Sequence, residues 1–432
     1  MSDPVSVNPL SLGVREAAQA IAAKKLGVVD YVNAWLERID AREAAVGAFQ
    51  HFDRAAVLAA ARRCDNEPPR GLLHGIPVAV KDVIDTFDLP TGYGSPIYRS
   101  HRPAADAACV ALTRAAGAIV LGKTVTTEFA YFTPGKTTNP HNPAYTPGGS
   151  SSGSAAAVGA GMAPLAFGTQ TAGSILRPAA YCGVVGYKPS FGLVPRYGVK
   201  ALADSLDTVG CMARNVADAA FFVGLLTDRR GLRDTAASLP PRLGFCRTPV
   251  WDEAEPATTA ALDRARGALL AAGARVDDIA VPQAHHGLAA AQETIMAYEM
   301  TLALADERIR HGAQISPRLA QLFDHGMTIG ADRYDAARAE TAAARQALDA
   351  FFGDCAVIVV PAAPGEAPQG HEYTGNPVFN RMWTLLGTPA VTIPAGKGPS
   401  GLPVGIQLVG RIGDDARLMA CARFAEQALA AS

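Results

Sequence analysis

The run Ile76-Pro-Val-Ala-Val80, closed by Lys81, constrains the fold more than any other stretch. A short β-branched apolar run of this kind reads as a buried strand. It heads a repeating alternation. The segment ADAACVALTRAAGAIVLGK carries a helix pattern over residues 105–116 and then a short apolar strand over 118–121. RLGFC, a helix over 257–272 and RVDDIAV repeat the set. Strand, helix, strand in this order is the grammar of an α/β fold. Val32, Trp35, Leu36 and Ile39 fall at helical spacing after Leu26-Gly27, so two helices are expected near the N-terminus. A long helical section includes Tyr334 to Phe352. AVIVVPAAP, PAVTIPA and VGIQLVG then read as strands before a C-terminal helix from Asp414. No internal repeat and no long unstructured linker interrupts the pattern. The expectation is one domain over residues 1–432, with a helical excursion at about 285–353 that contributes to the substrate entrance.

Composition excludes several function classes. A chain of 432 residues that is 49% hydrophobic builds its core without metal or disulfide support. Lys plus Arg number 39 against 40 acidic residues, so a net charge of −1 supplies no overall field for nucleic acid or an anionic membrane. The 7 cysteines are odd in number and form no CxxC pair, which points to reduced thiols in a cytoplasmic setting. The N-terminal MSDPVSVNPLSLG has neither the basic segment nor the apolar core of a signal peptide. No apolar run approaches the roughly 20 residues that span a bilayer. The 9 histidines form no HExxH pattern, and no metal or cofactor is expected.

Three chemistries compete in one region. Gly117 to Thr124 matches the GxxxxGK[ST] phosphate loop, but its variable positions, Ala-Ile-Val-Leu, are the strand itself, and the β-branched residues after it start a helix poorly. Gly149 to Gly153 matches GxSxG with Ser151 central, yet the preceding NPHNPAYTPG holds three prolines and makes a poor central strand. The third candidate joins Lys81, Ser150 in the glycine-serine loop, and Ser174 in GTQTAGS. A serine hydroxyl is a weak nucleophile. It needs a base that is neutral near pH 7, and a lysine among apolar neighbours can be one. From the residues alone, Lys81 could equally be an ordinary lysine paired with Asp82.

LLHGIPVAVKDVIDT, TPGGSSSGSAAAVGAG and GTQTAGSILRPAAYCGVVGYKPS, in this order, resemble the signature of the amidase signature family. The resemblance implies a large mixed β-sheet core covered by helices on both faces, and a Ser-cisSer-Lys triad of Ser174 as nucleophile, Ser150 after a cis peptide, and Lys81. It also implies an oxyanion hole from the backbone N–H groups of Thr171, Ala172, Gly173 and Ser174. Gln170, Ala172 and Ser152 depart from the commonest wording, where aspartate, glycine and glycine stand. Candidate substrate-binding residues are Arg177, Gly149, Thr169, Tyr131 and Phe132; Met382 and Trp383 raise the same question. Arg177 either pairs with a substrate carboxylate or braces the loop.

In wording the chain is most similar to the malonamidase branch. The function so implied is hydrolysis of a small-molecule carboxamide, such as the mono-amide of a dicarboxylic acid, through a serine acyl-enzyme. Aryl-amide or carbamate hydrolysis, or service as the glutaminase subunit of a tRNA-dependent amidotransferase, stands as the alternative. The resemblance is also compatible with a homodimer, and a small amide is the expected partner rather than nucleic acid or membrane.

Overall fold

The computed structural model describes residues 8–432, so the first seven residues of the N-terminal MSDPVSVNPLSLG lie outside the described residues. Eleven strands form one mixed sheet: β1 (Phe49–His51), β2 (Pro77–Lys81), β3 (Ile119–Thr124), β4 (Leu165–Gln170), β5 (Val185–Lys188), β6 (Thr208–Ala213), β7 (Arg242–Arg247), β8 (Arg275–Ala280), β9 (Val357–Pro361), β10 (Ala390–Lys397) and β11 (Pro403–Val409). Their order is β1-β3-β2-β4-β6-β5-β10-β11-β9-β7-β8. Only two stretches are parallel, β3-β2-β4 and β8-β7-β9; every other neighbour pair is antiparallel.

Helices cover both faces. Tyr187 of β5 reaches Asp415 on the C-terminal helix Asp415–Ala430, whereas the adjacent Gly186 packs on Ala179 of helix Leu176–Cys182. Because neighbouring strand residues point to opposite faces, these two helices lie on opposite sides of the sheet. β2, β3 and β4 are buried along their whole length, which explains why each begins as a continuous apolar run rather than an alternating one, with polar residues only at its C-terminal end.

β3 extends past the expected 118–121. It continues through Gly122, Lys123 and Thr124, because β2 pairs with it as far as Lys81↔Thr124. Lys123 is therefore a buried strand residue, held by the Ile84 carbonyl, the Thr91 hydroxyl at 2.6 Å and Asp82 at 3.5 Å, and the phosphate-loop match is a coincidence of letters. The helical section expected to include Tyr334 to Phe352 is helical there, as two helices, Ala331–Gln346 and Leu348–Phe352, that meet at Ala347. Between β8 and β9 the chain also forms helices Leu288–Ala303, Ala305–Arg310 and Pro317–Met327.

β2 and β4 are parallel neighbours, paired at Val78↔Leu165 and Ala79↔Ala166. Their C-terminal ends bring Lys81 beside Thr169 and Gln170. A ligand site outside the carboxyl ends of parallel strands is the usual consequence of such a layout.

Candidate active site

Lys81 is fully buried at the end of β2. Its Nζ lies 2.7 Å from the Ser150 hydroxyl and 2.7 Å from the Thr169 hydroxyl. Burial pushes its pKa well below the ordinary lysine range, while the carboxylate of Asp207 pulls in the other direction. An amine that sheds its proton easily, hydrogen-bonded to a serine, is what base-assisted serine chemistry requires.

The glycine-serine loop delivers that serine. The Gly149-Ser150 peptide bond is cis. Helix Ser152–Gly159 begins directly afterwards and packs so closely that a Cβ at Gly153 would lie 2.2 Å from the Ala48 carbonyl oxygen, which excludes any side chain there. Ser151 does not face a substrate: it is fully buried and its hydroxyl donates to the Thr169 carbonyl at 3.2 Å. Ser150 and Ser174 line one cavity of about 300 Å³ together with Thr171, Ala172 and Arg177. Their hydroxyls share no direct hydrogen bond; the link between the segments is Ser151 N–H to the Ser174 carbonyl at 3.3 Å. Such contacts often tighten only when substrate is bound.

Thr171, Ala172 and Ser174 of the following turn line this cavity. Among the described residues, the N–H groups of Thr171, Ala172, Gly173 and Ser174 donate to no protein acceptor. Every carbonyl of the same turn is engaged. Thr171 accepts from Gln292 at 3.0 Å, Ala172 from the Thr384 hydroxyl at 2.6 Å, Gly173 from Arg177 N–H at 3.0 Å and Ser174 from Ser151 N–H. Gly173 is required by close approach rather than by an unusual dihedral: a Cβ would meet Asn380 Oδ1 at 2.4 Å. Gln170 caps the helix Leu176–Cys182 beyond the turn. Its side-chain carbonyl accepts from Ile175 N–H at 2.9 Å and Leu176 N–H at 3.1 Å, and its side-chain amide donates to Thr384 at 2.9 Å.

Sequence reasoning passed over Asp207, because nothing in SLDTVG marks it. The carboxylate accepts from the Thr171 hydroxyl at 2.5 Å and from Leu202 and Ala203 N–H, and burial pushes it up to about 6. Asp207→Asn is expected to cost about 1–3 kcal/mol of stability, since an amide cannot satisfy all three donors. It also removes the charge that holds the Lys81 pKa up, so the acid limb of the kcat/KM profile moves to lower pH. Thermal melts and a pH series check both outcomes.

The wall opposite the serines is partly the expected one. Tyr131 and Phe132 line both this cavity and an outer groove of about 800 Å³ that adds Arg318, His325, Tyr373 and Arg381. Gly149 and Thr169 do not line the cavity: the Gly149 carbonyl accepts from Arg177 at 2.7 Å and Thr169 holds Lys81. Met382 and Trp383 belong to the core, where Trp383 stacks on Phe351 with ring centroids 5.9 Å apart. Arg177 is buried, braces the Thr374 and Gly149 carbonyls through Nε and Nη2, and keeps Nη1 without a partner. Both readings of Arg177 thus have a physical basis in one side chain. No group of His, Cys, Asp and Glu among the described residues could hold a metal, and no helix among them is long and apolar enough to cross a membrane.

A family model described as Amidase matches residues 30–419. The A subunit of glutamyl-tRNA(Gln) amidotransferase from Anaeromyxobacter sp. (strain K) is 35% identical, covering 97% of this chain and 96% of its own. A crystal structure of an amidase superposes with a TM-score of 0.88 at 28% identity, over 96% of this chain and 99% of that one. A vestigial protein complex bearing on the origins of an s-triazine catabolic enzyme gives 0.87 at 28% identity, over 96% and 98%. These similarities correct the branch read from wording: the similar curated relative carries an amidotransferase-subunit name, not a malonamidase one.

Proposed function

The chain belongs to the amidase family and is an amidohydrolase acting on C–N bonds, and from that premise we propose that Ser174 is its nucleophile, with Ser150 and Lys81 as the proton relay. Neutral Lys81 takes a proton from Ser150, which takes one from Ser174, while Ser174 Oγ attacks the amide carbonyl. The free N–H groups of Thr171, Ala172, Gly173 and Ser174 receive the oxyanion. Collapse breaks the C–N bond, the relay returns its proton to the leaving nitrogen, and ammonia or an amine departs. Water then attacks the acyl-enzyme by the same route. The observation that carries this reading is the buried 2.7 Å contact from Lys81 to Ser150, in a cavity that also holds Ser174.

For the substrate we infer a primary carboxamide, with glutamine as the first choice and the ammonia passed to a partner protein. Support comes from the amidotransferase-subunit relative, aligned over nearly all of both chains. The observation that favours a stand-alone hydrolase instead is the unpartnered Nη1 of Arg177, which suits the carboxylate of a short mono-amide. Two measurements separate the readings. Purified protein is assayed on L-glutamine, short mono-amides and neutral aryl amides, and tagged chain is recovered from cells to look for a stoichiometric partner that raises glutamine hydrolysis. Turnover of short mono-amides without any such partner would overturn the subunit reading. We read the chain as one domain, with the segment 285–353 forming part of the entrance.

Arg177→Lys tests the second reading. It keeps a charge but cannot brace two carbonyls, so activity falls on every amide. An additional loss of about tenfold confined to acidic substrates is expected if Nη1 binds their carboxylate. Equal losses on acidic and neutral amides assign Arg177 to bracing alone.

A further inference from the structure

Gln292 sits in helix Leu288–Ala303, more than a hundred residues from the serine loops, and is fully buried. Its two ends do different work. Oε1 accepts from Arg381 Nη1 at 2.6 Å, and Nε2 donates to the Thr171 carbonyl at 3.0 Å. That carbonyl belongs to the same peptide unit as the Ala172 N–H, which donates to no protein acceptor and whose residue lines the cavity. Arg381 in turn meets Glu293 at 3.1 Å and lines the outer groove.

We propose that Gln292 is a positioning residue that aims and polarises the Ala172 N–H as an oxyanion donor, driven by the Arg381 guanidinium behind it. Two physical effects support the role. Locking the Thr171 carbonyl fixes the plane of the peptide, hence the direction in which the Ala172 N–H points. A hydrogen bond to the carbonyl end of an amide also draws electron density from its N–H. A charged donor at the head of the chain strengthens each successive bond, because hydrogen bonds in low dielectric polarise one another. Arginine to glutamine to peptide to oxyanion is such a chain, with every donor pointing the same way. Glutamine suits the middle position because it accepts at one end and donates at the other. The Ala172-Gly173 peptide has a neutral counterpart, in which Gln170 donates to Thr384 and Thr384 to the Ala172 carbonyl.

This inference rests on Ser174 as nucleophile, and the test separates the two claims. The probe is decyl methylfluorophosphonate: Ser174 Oγ bonds to phosphorus, fluoride leaves, the serine proton passes into the relay, and the phosphoryl oxygen occupies the oxyanion site. Wild type, Ser174→Ala, Gln292→Met and Gln292→Glu are compared by labelling rate, by affinity for benzoate as a planar acid, and by thermal melting. Gln292→Glu matters because it keeps the acceptor for Arg381 but turns a second oxygen toward the Thr171 carbonyl; it also serves if Gln292→Met does not fold. Removing a whole oxyanion donor costs about 10²–10³ in rate, so misaiming one is expected to slow labelling by about tenfold, with benzoate affinity unchanged. Labelling that survives in Ser174→Ala overturns the nucleophile assignment itself. If Ser174→Ala is inert while both Gln292 variants label at the wild-type rate, the positioning role is wrong. It is equally wrong if benzoate binding and melting temperature fall along with labelling, since the residue is then only structural.

Discussion

Ser174→Ala abolishes acyl-enzyme formation and lowers kcat by about 10⁴-fold or more, because the groups of a serine triad act as a unit. Mass spectrometry after mixing with substrate shows no covalent adduct, and the folded state is unaffected, since Ser174 Oγ makes no hydrogen bond that the fold depends on. The control is Ser151→Ala. Ser151 is equally buried and only one residue from the relay, but its hydroxyl points to the Thr169 carbonyl. A Ser151→Ala enzyme that loses activity as completely as Ser174→Ala, or a Ser174→Ala enzyme that keeps substantial turnover, sinks the assignment.

Lys81→Met separates activity from stability in opposite directions. Losing the base lowers kcat by about 10²- to 10⁴-fold. The same change is expected to raise the melting temperature at neutral pH, and the sign comes from linkage. Burial lowers the folded-state pKa of Lys81 below the ordinary 10.5. Between those two values the unfolded chain carries a proton that the folded chain does not. Wild-type stability therefore rises with pH across that window and is depressed below it. Methionine binds no proton in either state, so the stability difference between Lys81→Met and wild type shrinks as pH rises toward 10.5. Denaturant melts at several pH values measure it. A difference independent of pH would mean that Lys81 is charged in the folded protein and cannot be the resting base.

Much of this was legible in the chain. The apolar run before Lys81 gave a strand because it is buried on both faces, and the glycines and serines around Ser150 and Ser174 are local motifs whose spacing survives in one dimension. Asp207, Gln292, Thr384 and Arg381 were not legible. Each acts by touching Thr171 or Ala172, directly or through one intermediary, across 36 or more residues of sequence, and nothing beside any of them announces that contact. The same limit explains Gly149 and Thr169. Their local sequence does not show that the Gly149 carbonyl accepts from Arg177 and that the Thr169 hydroxyl meets Lys81. The extent of β3 was missed for a related reason: Lys123 reads as polar, and its buried partners, the Ile84 carbonyl, the Thr91 hydroxyl and Asp82, make a lysine tolerable inside a strand.

Lys81 stands on β2, and Ser150 and Ser174 stand on turns that lead into two short helices, while the outer groove is walled by residues 131–132, 318–325 and 373–381. Scaffold and doorway meet at Tyr131, Phe132 and Pro377, which line both the cavity and the groove. Mutation can rework the doorway for a new acyl or amine group, which fits a shared sheet among proteins named for tRNA amidation and for s-triazine breakdown. Two hydrogen bonds tie the helical wall to the turn beneath it, Gln292 to the Thr171 carbonyl and Thr384 to the Ala172 carbonyl, so a rebuilt wall is felt at that turn through them.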